Sequence, residues 1–332
     1  MYKKDVGLLV LILVVGAVVA IINPLFLSPI NVANTANLIG LFGIFSIGQA
    51  IVIITGGIEL SVGSVIALLG VLFVDLMANY NVPWPWALLL MLGLGLAIGF
   101  VHGLLITRTH LQPFIVTLCG LLIYRGAARF YTADATAGFG FGVSFPTLEW
   151  LTTGRVFGVP HSLIALIVVA GIMWVVLHRS VFGRYLYAVG KNEEAARYSG
   201  IPTKSVVIAA YMICGVLTAI SAIFFAMYTR SISPSSHGNF YELYAIAASV
   251  LGGFSLRGGE GSIVGVVLGT ILLQVLQNLV NLLGIPSSLN FAVMGSVILI
   301  GVLADAQFSE FRKRRSAARS ETPSLATAPR AM

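Results

Sequence analysis

Three short polar strings interrupt an otherwise apolar chain, and they hold the residues whose chemistry is most informative. The first string, TGGIELSVGS from Thr55 to Ser64, carries one carboxylate, Glu59, inside an apolar tract. Glycines let the backbone break a helix, and hydroxyl side chains can satisfy the amides that a break exposes. An unpaired carboxylate at membrane depth is costly, so Glu59 needs a partner or water. The string is either a tight turn with a solvated Glu59 or, as we favour, a broken helix along a translocation pathway.

A second string, LGGFSLRGGEGS from Leu251 to Ser262, resembles the first in composition and order. Both contain Gly-Gly, an apolar residue, a short polar turn and Gly-Ser, and both lead into a helix of small residues. Internal repeats are typical of transporters, whose sites lie where the repeats meet. The match predicts that the early spans and the later spans are related halves of one fold.

The third string, GRYLYAVGKNEEAARYSGIPTK from Gly183 to Lys204, predicts a self-contained short helix. Asn192 can cap its N-terminus. The next two residues are glutamates, at the end of the helix where its dipole favours negative charge. Gly200 can take the left-handed conformation that ends a helix, and Pro202 blocks continuation. One interpretation is an ordinary connecting helix on the membrane surface. The other is a docking helix whose adjacent alanines, Ala195 and Ala196, let a partner approach closely.

Polar side chains within the apolar segments mark helix faces that lipid does not tolerate. Gln274 and Asn278 are four residues apart, so they share one face. Gln49 and His102 are placed in the same way within apolar runs. We interpret His102 as a hydrogen-bonding packing residue rather than a proton relay.

The sequence contains no pattern typical of an enzyme or a metal site. Its two cysteines, Cys119 and Cys214, lie in separate apolar runs and give neither a metal signature nor a disulfide framework. There is no nucleophile elbow and no Walker A lysine motif. Active transport would therefore draw its energy from another subunit or from an ion gradient.

The composition is that of an integral membrane protein. Of the 332 residues, 58% are hydrophobic and 9% are charged, and the mean hydropathy is +0.97. A soluble domain carries about a quarter charged residues, which it needs to cover its surface. The net charge of +7 does not indicate nucleic-acid binding, because the basic residues lie in short stretches between apolar runs and in the tail.

The fold class predicted from these runs is an all-α, polytopic transmembrane bundle of about ten spans, some broken or re-entrant. A spanning helix needs about 20 mainly apolar residues. The runs that meet this requirement are roughly 6–27, 38–56, 61–79, 86–107, 112–131, 162–178, 206–228, 241–256, 262–283 and 289–305. A short helix is also expected near Phe145–Leu151, in the long loop 132–161.

The charge distribution predicts the orientation of the chain. If both termini are cytoplasmic and all ten runs span, 15 of the 19 basic residues lie on the inside and 4 on the outside. This bias is the one expected for cytoplasmic loops. Residues 1–311 then form the transmembrane permease domain. Residues 312–332, rich in Ser, Ala, Pro and Arg, are expected to be a disordered cytoplasmic tail near lipid headgroups.

Together the three strings resemble the ribose/xylose-type sugar permeases of bacterial ABC importers. Gly56–Ser64 is similar to that family's Gly-Gly-Ile-Asp-Leu-Ser-x-Gly-Ser signature, with Glu59 where Asp is usual. Gly190–Ile201 fits its Gly-x-Asn-x-x-Ala-Ala-x-x-x-Gly-Ile coupling motif, and Leu251–Ser262 fits its later glycine string. The phrase Pro113–Leu118 fits as well. The resemblance covers about residues 5–305.

The resemblance implies a permease subunit for a monosaccharide or related small polyol, in the bacterial cytoplasmic (inner) membrane. It implies four kinds of partner: an ABC ATPase that binds the ATP, a periplasmic sugar-binding protein, a second permease copy or sister permease, and the lipid bilayer. No cofactor bound by this chain and no nucleic acid is expected.

Two sets of site residues follow. The coupling helix, at about 191–201, would contact the ATPase through Gly190, Asn192, Glu194, Ala195, Ala196, Arg197, Gly200 and Ile201. The substrate pathway would include Gln49, Gly56, Gly57, Glu59, Ser61, Ser64, Phe114, Thr117, Gln274 and Asn278. The chain is not expected to be an enzyme.

The alternative from another class is an ion-coupled secondary transporter or channel without an ATPase. It would be marked by paired intramembrane carboxylates, whereas here only Glu59, Asp75 and Glu242 come near membrane depth. A membrane enzyme is disfavoured by the missing catalytic groups. The sugar and the choice between homodimer and heterodimer stay open.

Overall fold

A computed structural model describes residues 2–286 apart from Phe141, together with residues 289, 292, 295, 296 and 299. The described part is all-α, as predicted. Its α-helices are α1 Tyr2–Ile22, α2 Pro29–Ile54, α3 Val62–Ala78, α4 Trp84–Thr109, α5 Pro113–Tyr131, α6 Pro146–Thr153, α7 His161–His178, α8 Val181–Lys191, α9 Glu193–Tyr198, α10 Thr203–Thr229, α11 Tyr241–Leu251 and α12 Ile263–Leu282. A 3-10 helix covers Pro24–Leu27.

The extended structure in these residues is confined to two small antiparallel pairs. The strands are β1 Ala137–Gly138, β2 Arg155–Val156, β3 Val159–Pro160 and β4 Ser231–Ile232. β1 pairs with β4, and β2 pairs with β3. The first pair joins the loop after α5 to the loop after α10.

Seven of the described helices, α1, α2, α4, α5, α7, α10 and α12, are long and apolar enough to cross a membrane. The chain is thus a multi-pass membrane protein. Two further apolar helices, α3 and α11, have only 17 and 11 residues. At 1.5 Å per residue α11 is about 16 Å long, against about 30 Å of hydrocarbon. Broken elements are therefore confirmed at the two glycine strings.

The predicted segments correspond closely to the helices. The short helix expected near Phe145–Leu151 is α6. The second span begins earlier than predicted, at Pro29 rather than at residue 38, because asparagines in its first turns lower the local hydropathy. Ser28 caps this start by accepting a hydrogen bond from Asn31 N. The tenth predicted span, 289–305, and the tail, 312–332, lie outside the described residues except for 289, 292, 295, 296 and 299.

The core is built around α2 and α10, which pack through small residues. A Cβ atom at Gly95 of α4 would lie 2.5 Å from the Gly215 carbonyl oxygen of α10, and a Cβ at Gly215 would lie 2.1 Å from that of Gly95. Likewise a Cβ at Gly40 of α2 would lie 2.3 Å from the Ser162 backbone of α7. Only glycine permits such close backbone approach, which drives helix association in lipid.

The two ends of the bundle differ in what they carry. One end, which we call the α9 side, has α9, the glycine break between α2 and α3, and the turn between α4 and α5 around one cavity. The opposite end, the α6 side, has α6 and the small sheets. There Arg230 forms an ion pair with Glu149 at 2.6 Å.

Candidate functional site

The backbone of the break between α2 and α3 is held by side chains from α2, α5 and α10. The Ile58 carbonyl accepts hydrogen bonds from the hydroxyls of Thr117 on α5, at 3.2 Å, and Tyr211 on α10, at 3.3 Å. The Gln49 amide of α2 pairs with the Glu59 backbone, donating to its carbonyl at 2.9 Å and accepting from its N–H at 3.2 Å. Such partners allow irregular backbone at membrane depth.

The Glu59 carboxylate is also fully engaged inside the protein. Oε1 accepts from the Ser61 backbone N–H and from the Ser61 hydroxyl, both at 2.7 Å. Oε2 lies 2.7 Å from Nδ1 of His102 on α4. Glu59 is 5% exposed, so the solvated turn is wrong. The pathway role of Glu59 stays a prediction, and in this conformation its carboxylate faces protein.

A third residue completes this group. The Tyr124 hydroxyl of α5 lies 3.0 Å from Nε2 of His102. Gly120 makes room for the ring, because a Cβ there would lie 2.7 Å from Nε2. We call Glu59, His102 and Tyr124 the carboxylate clamp.

The rest of the first string supports the break. Gly56 has a φ of +81°, which favours glycine. A Cβ at Gly57 would lie 2.7 Å from the Tyr211 hydroxyl. Ser64, buried in the first turn of α3, donates its hydroxyl to the Ser61 carbonyl at 2.8 Å.

The second glycine string meets the first, as the repeat suggests. Gly259 N donates to the carbonyl of Ile54, the last residue of α2, at 2.8 Å. Gly190 of α8 packs against this hydrogen bond. A Cβ atom at Gly190 would lie 1.7 Å from the Ile54 oxygen and 2.5 Å from Gly259 N. We call Ile54, Gly190 and Gly259 the glycine junction. All three polar strings therefore converge on the α9 side.

Two further contacts tie α8 to the second string. Lys191 forms an ion pair with Glu260 at 3.0 Å, although both side chains are exposed. The Tyr187 hydroxyl donates to the Gly261 carbonyl at 2.7 Å. α8 itself was not predicted as a separate helix. It ends at Asn192, where the chain turns into α9.

The short helix α9 forms as its capping residues predict. Asn192 Oδ1 accepts from Ala195 N at 2.9 Å, and Gly200 has a φ of +83°. Ile201 N then closes the end by donating to the Ala196 carbonyl at 3.1 Å.

The two alanines of α9 face opposite ways, which corrects the expectation that both meet a partner. Ala195 is exposed, whereas Ala196 is 5% exposed and packs beneath the helix. The exposed face of α9 carries Glu194 and Arg197. It also carries Tyr198, which is 83% exposed with the Arg197 guanidinium 5.7 Å from its ring. The motif did not single out Tyr198.

A cavity of about 740 Å³ opens between α9 and the break. Its lining includes Gly56, Gly57, Gln112, Pro113, Glu193, Glu194, Arg197, Lys204 and Tyr211. Tyr211 also lines a small cavity of about 10 Å³ beside Glu59 and Ser61. The Tyr211 side chain therefore stands between the open cavity and the carboxylate clamp.

The predicted polar face of α12 meets α2 rather than lipid. Asn278 and Asn31 exchange two amide hydrogen bonds, of 2.8 and 3.0 Å. Gln274 is 2% exposed, and its Oε1 has no hydrogen-bond partner. These two residues lie on α12, which carries no residue of the carboxylate clamp. Phe114, near the start of α5, is 49% exposed.

His102 forms hydrogen bonds inside the protein, as its position within an apolar run predicted, whereas Tyr124 was not singled out by sequence reasoning. Glu242, buried in the first turn of α11, faces the start of α3, since a Cβ at Gly63 would lie 2.7 Å from its Oε2. Arg125 donates to the carbonyls of Pro234, at 2.9 Å, and His237, at 2.7 Å. Within the described residues, no group of three or more His, Cys, Asp and Glu side chains could hold a metal ion.

A comparison with known protein families identifies the family of this chain. A family model described as branched-chain amino acid transport system / permease component matches residues 31–302. The chain belongs to this family of transport permeases. Like other members it is a permease component, and the match spans both glycine strings and α9.

Several known transport proteins are similar to this chain over nearly its whole length. The ribose import permease proteins RbsC of Bacillus subtilis (strain 168) and Escherichia coli (strain K12) are each 38% identical to it. These alignments cover 90% and 91% of this chain and 90% and 92% of the relatives. The D-allose transport system permease protein AlsC of Escherichia coli (strain K12) is 30% identical over 90% of this chain and 91% of its own length. No solved structure matches the chain.

Proposed function

We propose that this permease forms the membrane pathway of an ATP-driven importer for a monosaccharide or a related small polyol. The ATP would be bound by a partner subunit. The observation that carries this proposal is the glycine junction. It joins α8, which leads directly into the exposed helix α9, to both breaks in the transmembrane helices.

The substrate class rests on the relatives and on the chemistry at membrane depth. Relatives 38% and 30% identical are named for import of ribose and transport of D-allose. Gln274 is buried, and its amide oxygen has no hydrogen-bond partner among the described residues. Neutral amides suit the hydroxyl groups of a sugar.

The two ends of the bundle offer surfaces to different partners. With the α9 side cytoplasmic, Glu194, Ala195, Arg197 and Tyr198 would dock on an ABC ATPase. The α6 side would then receive a sugar-binding protein from outside. A second copy of this chain or a sister permease would complete the pathway, in the bacterial inner membrane with both termini cytoplasmic.

The proposed pathway residues divide by their contacts. Gln49, Gly56, Gly57, Glu59, Ser61, Ser64 and Thr117 form or hold the break, so they would shape the pathway by setting its backbone. Gln274, Asn278 and Phe114 lie elsewhere, and their role would be to line other parts of it.

Genetic context and uptake together test the proposal. Neighbouring reading frames are expected to encode a Walker A ATPase and a secreted binding protein. Deletion of this gene is expected to abolish uptake of one labelled sugar from a panel of ribose, allose, fructose and polyols, while an unrelated labelled amino acid enters normally. Unchanged uptake across the panel would contradict the substrate class.

A further inference from the structure

We infer that His102, supported by Tyr124, is a positioning residue for transport that fixes the Glu59 carboxylate and so locks the glycine break to α4 and α5. The inference rests on the proposed function, since it concerns how movement of α9 reaches the pathway. His102 would act through Glu59 and not by touching the sugar.

The geometry gives His102 a position that no other described side chain shares. Its ring bonds Glu59 Oε2 through Nδ1, at 2.7 Å, and meets the Tyr124 hydroxyl through Nε2, at 3.0 Å. His102 is 2% exposed, so water does not compete for either contact. The clamp therefore joins three separate elements: the break, α4 and α5.

The break needs such a clamp because its own sequence is loose. Gly56 and Gly57 give its start wide conformational freedom. Ser61 supplies both described donors to Oε1, but it belongs to the break itself and cannot anchor it to another helix. Oε2 is anchored outside the break only by His102 among the described residues. Removing His102 would leave a buried carboxylate oxygen without a donor, which is costly.

The same break is tied at its other end to α8, which leads into α9. Ile54 ends α2 and bonds Gly259, while Gly190 of α8 packs on the Ile54 oxygen. Four residues separate Ile54 from Glu59. Displacement of α9 and α8 would therefore pull on Ile54, and the clamp would convert that pull into joint movement of α4 and α5. Without the clamp, only the bonds to the Ile58 and Glu59 backbone would carry that pull, and none of them reaches α4.

Uptake and ATP hydrolysis, measured in the same vesicles, test the clamp. The complete importer, with its ATPase and binding protein, is reconstituted, and labelled ribose is the probe. His102→Ala is expected to lower ribose uptake at least about tenfold, which corresponds to about 1.4 kcal/mol or more. ATP hydrolysis should persist, so that the ribose carried per ATP falls.

Conservative and matched variants separate positioning from folding. His102→Gln, whose amide can still donate to Glu59, is expected to recover a large part of the ribose-to-ATP ratio. Tyr124→Phe should lower the ratio less than His102→Ala. The control is Tyr80→Phe in an exposed loop, which is expected to behave as wild type.

Each outcome either supports or overturns the positioning role of His102. A wild-type ribose-to-ATP ratio in His102→Ala would overturn the inference. So would equal loss of uptake and hydrolysis in both His102→Ala and His102→Gln, because that pattern indicates a purely structural role. If the wild-type importer hydrolyses ATP but carries none of the sugars, the proposed function fails instead.

Discussion

Gly190 of α8 lies directly against the carbonyl oxygen of Ile54, the residue that ends α2, so closely that a Cβ atom would approach that oxygen to 1.7 Å. Two residues nearly 140 positions apart thus join α8, which leads into the short exposed helix α9, to a break within the membrane. This contact is the physical basis for expecting events at α9 to reach the pathway.

Gly190→Ala is expected to separate α8 from α2. The added methyl cannot fit beside the Ile54 oxygen and Gly259 N, and overpacking of this kind costs about 1–3 kcal/mol. Sugar uptake should be lost and the melting temperature of the purified permease should fall. Gly171→Ala in α7, where a Cβ meets nothing within 4 Å, is the matched control and should leave both unchanged.

Asn192→Ala is expected to loosen α9. The variant loses the cap on Ala195 N, worth about 1 kcal/mol, so amide exchange in residues 195–198 should accelerate about fivefold. Hydrogen exchange followed by mass spectrometry measures this. Asn192→Asp keeps an acceptor and should exchange like wild type. Equal exchange in Asn192→Ala would mean that the cap is not what holds α9.

Ala195→Arg is expected to abolish docking of an ATPase while leaving the permease folded. Ala195 is exposed, so the new side chain meets no residue of this chain, but it blocks a partner's groove. Ala196→Arg should instead destabilise the permease, because Ala196 is buried. Co-purification of the ATPase with each variant, read beside its melting curve, distinguishes the two. ATPase retained by Ala195→Arg would argue against α9 as the docking helix.

Acid is expected to loosen α6 through Glu149. The Phe145 N–H and the Arg230 guanidinium hold the pKa of Glu149 below its usual value of about 4.5. Because the folded pKa is the lower one, this stabilisation is complete above the usual value and is lost as pH falls through the folded pKa. Trp150 fluorescence should report the change, once Trp84, Trp86 and Trp174 are replaced by Phe.

The control for this titration is Glu149→Gln. It cannot ionise, so its Trp150 signal should stay flat over the acid range where the wild type changes. An identical acid transition in both proteins would assign the change to another group.

Local sequence patterns predicted most of the helices of this fold. Runs of apolar residues placed nine of the predicted segments on helices, and the cap at Asn192 with Gly200 defined α9, because these signals depend on neighbours in sequence. The start of α2 at Pro29 was hidden by its asparagines, of which Asn31 bonds Asn278 of α12 and Asn37 accepts from Ser162 of α7.

The partners within the site could not be read in the same way. The position of Glu59 in an apolar tract predicted that its carboxylate needs a partner. The partners themselves, His102 and Tyr124, lie on other helices, and only the packing of α4 and α5 brings them to Glu59. The inward turn of Ala196 and the exposure of Tyr198 likewise depend on how α9 rests on the bundle. Such relationships are set by tertiary contacts rather than by spacing along the chain.

The central claim is that ATP, used by a partner bound at α9, drives a sugar through this permease. The most direct test is accumulation of labelled ribose in vesicles that hold the permease, its ATPase and its binding protein. We predict accumulation with hydrolysable ATP, none with a non-hydrolysable analogue, and none in the Ala195→Arg importer. Accumulation driven by a proton or sodium gradient in the absence of ATP and ATPase would contradict the account.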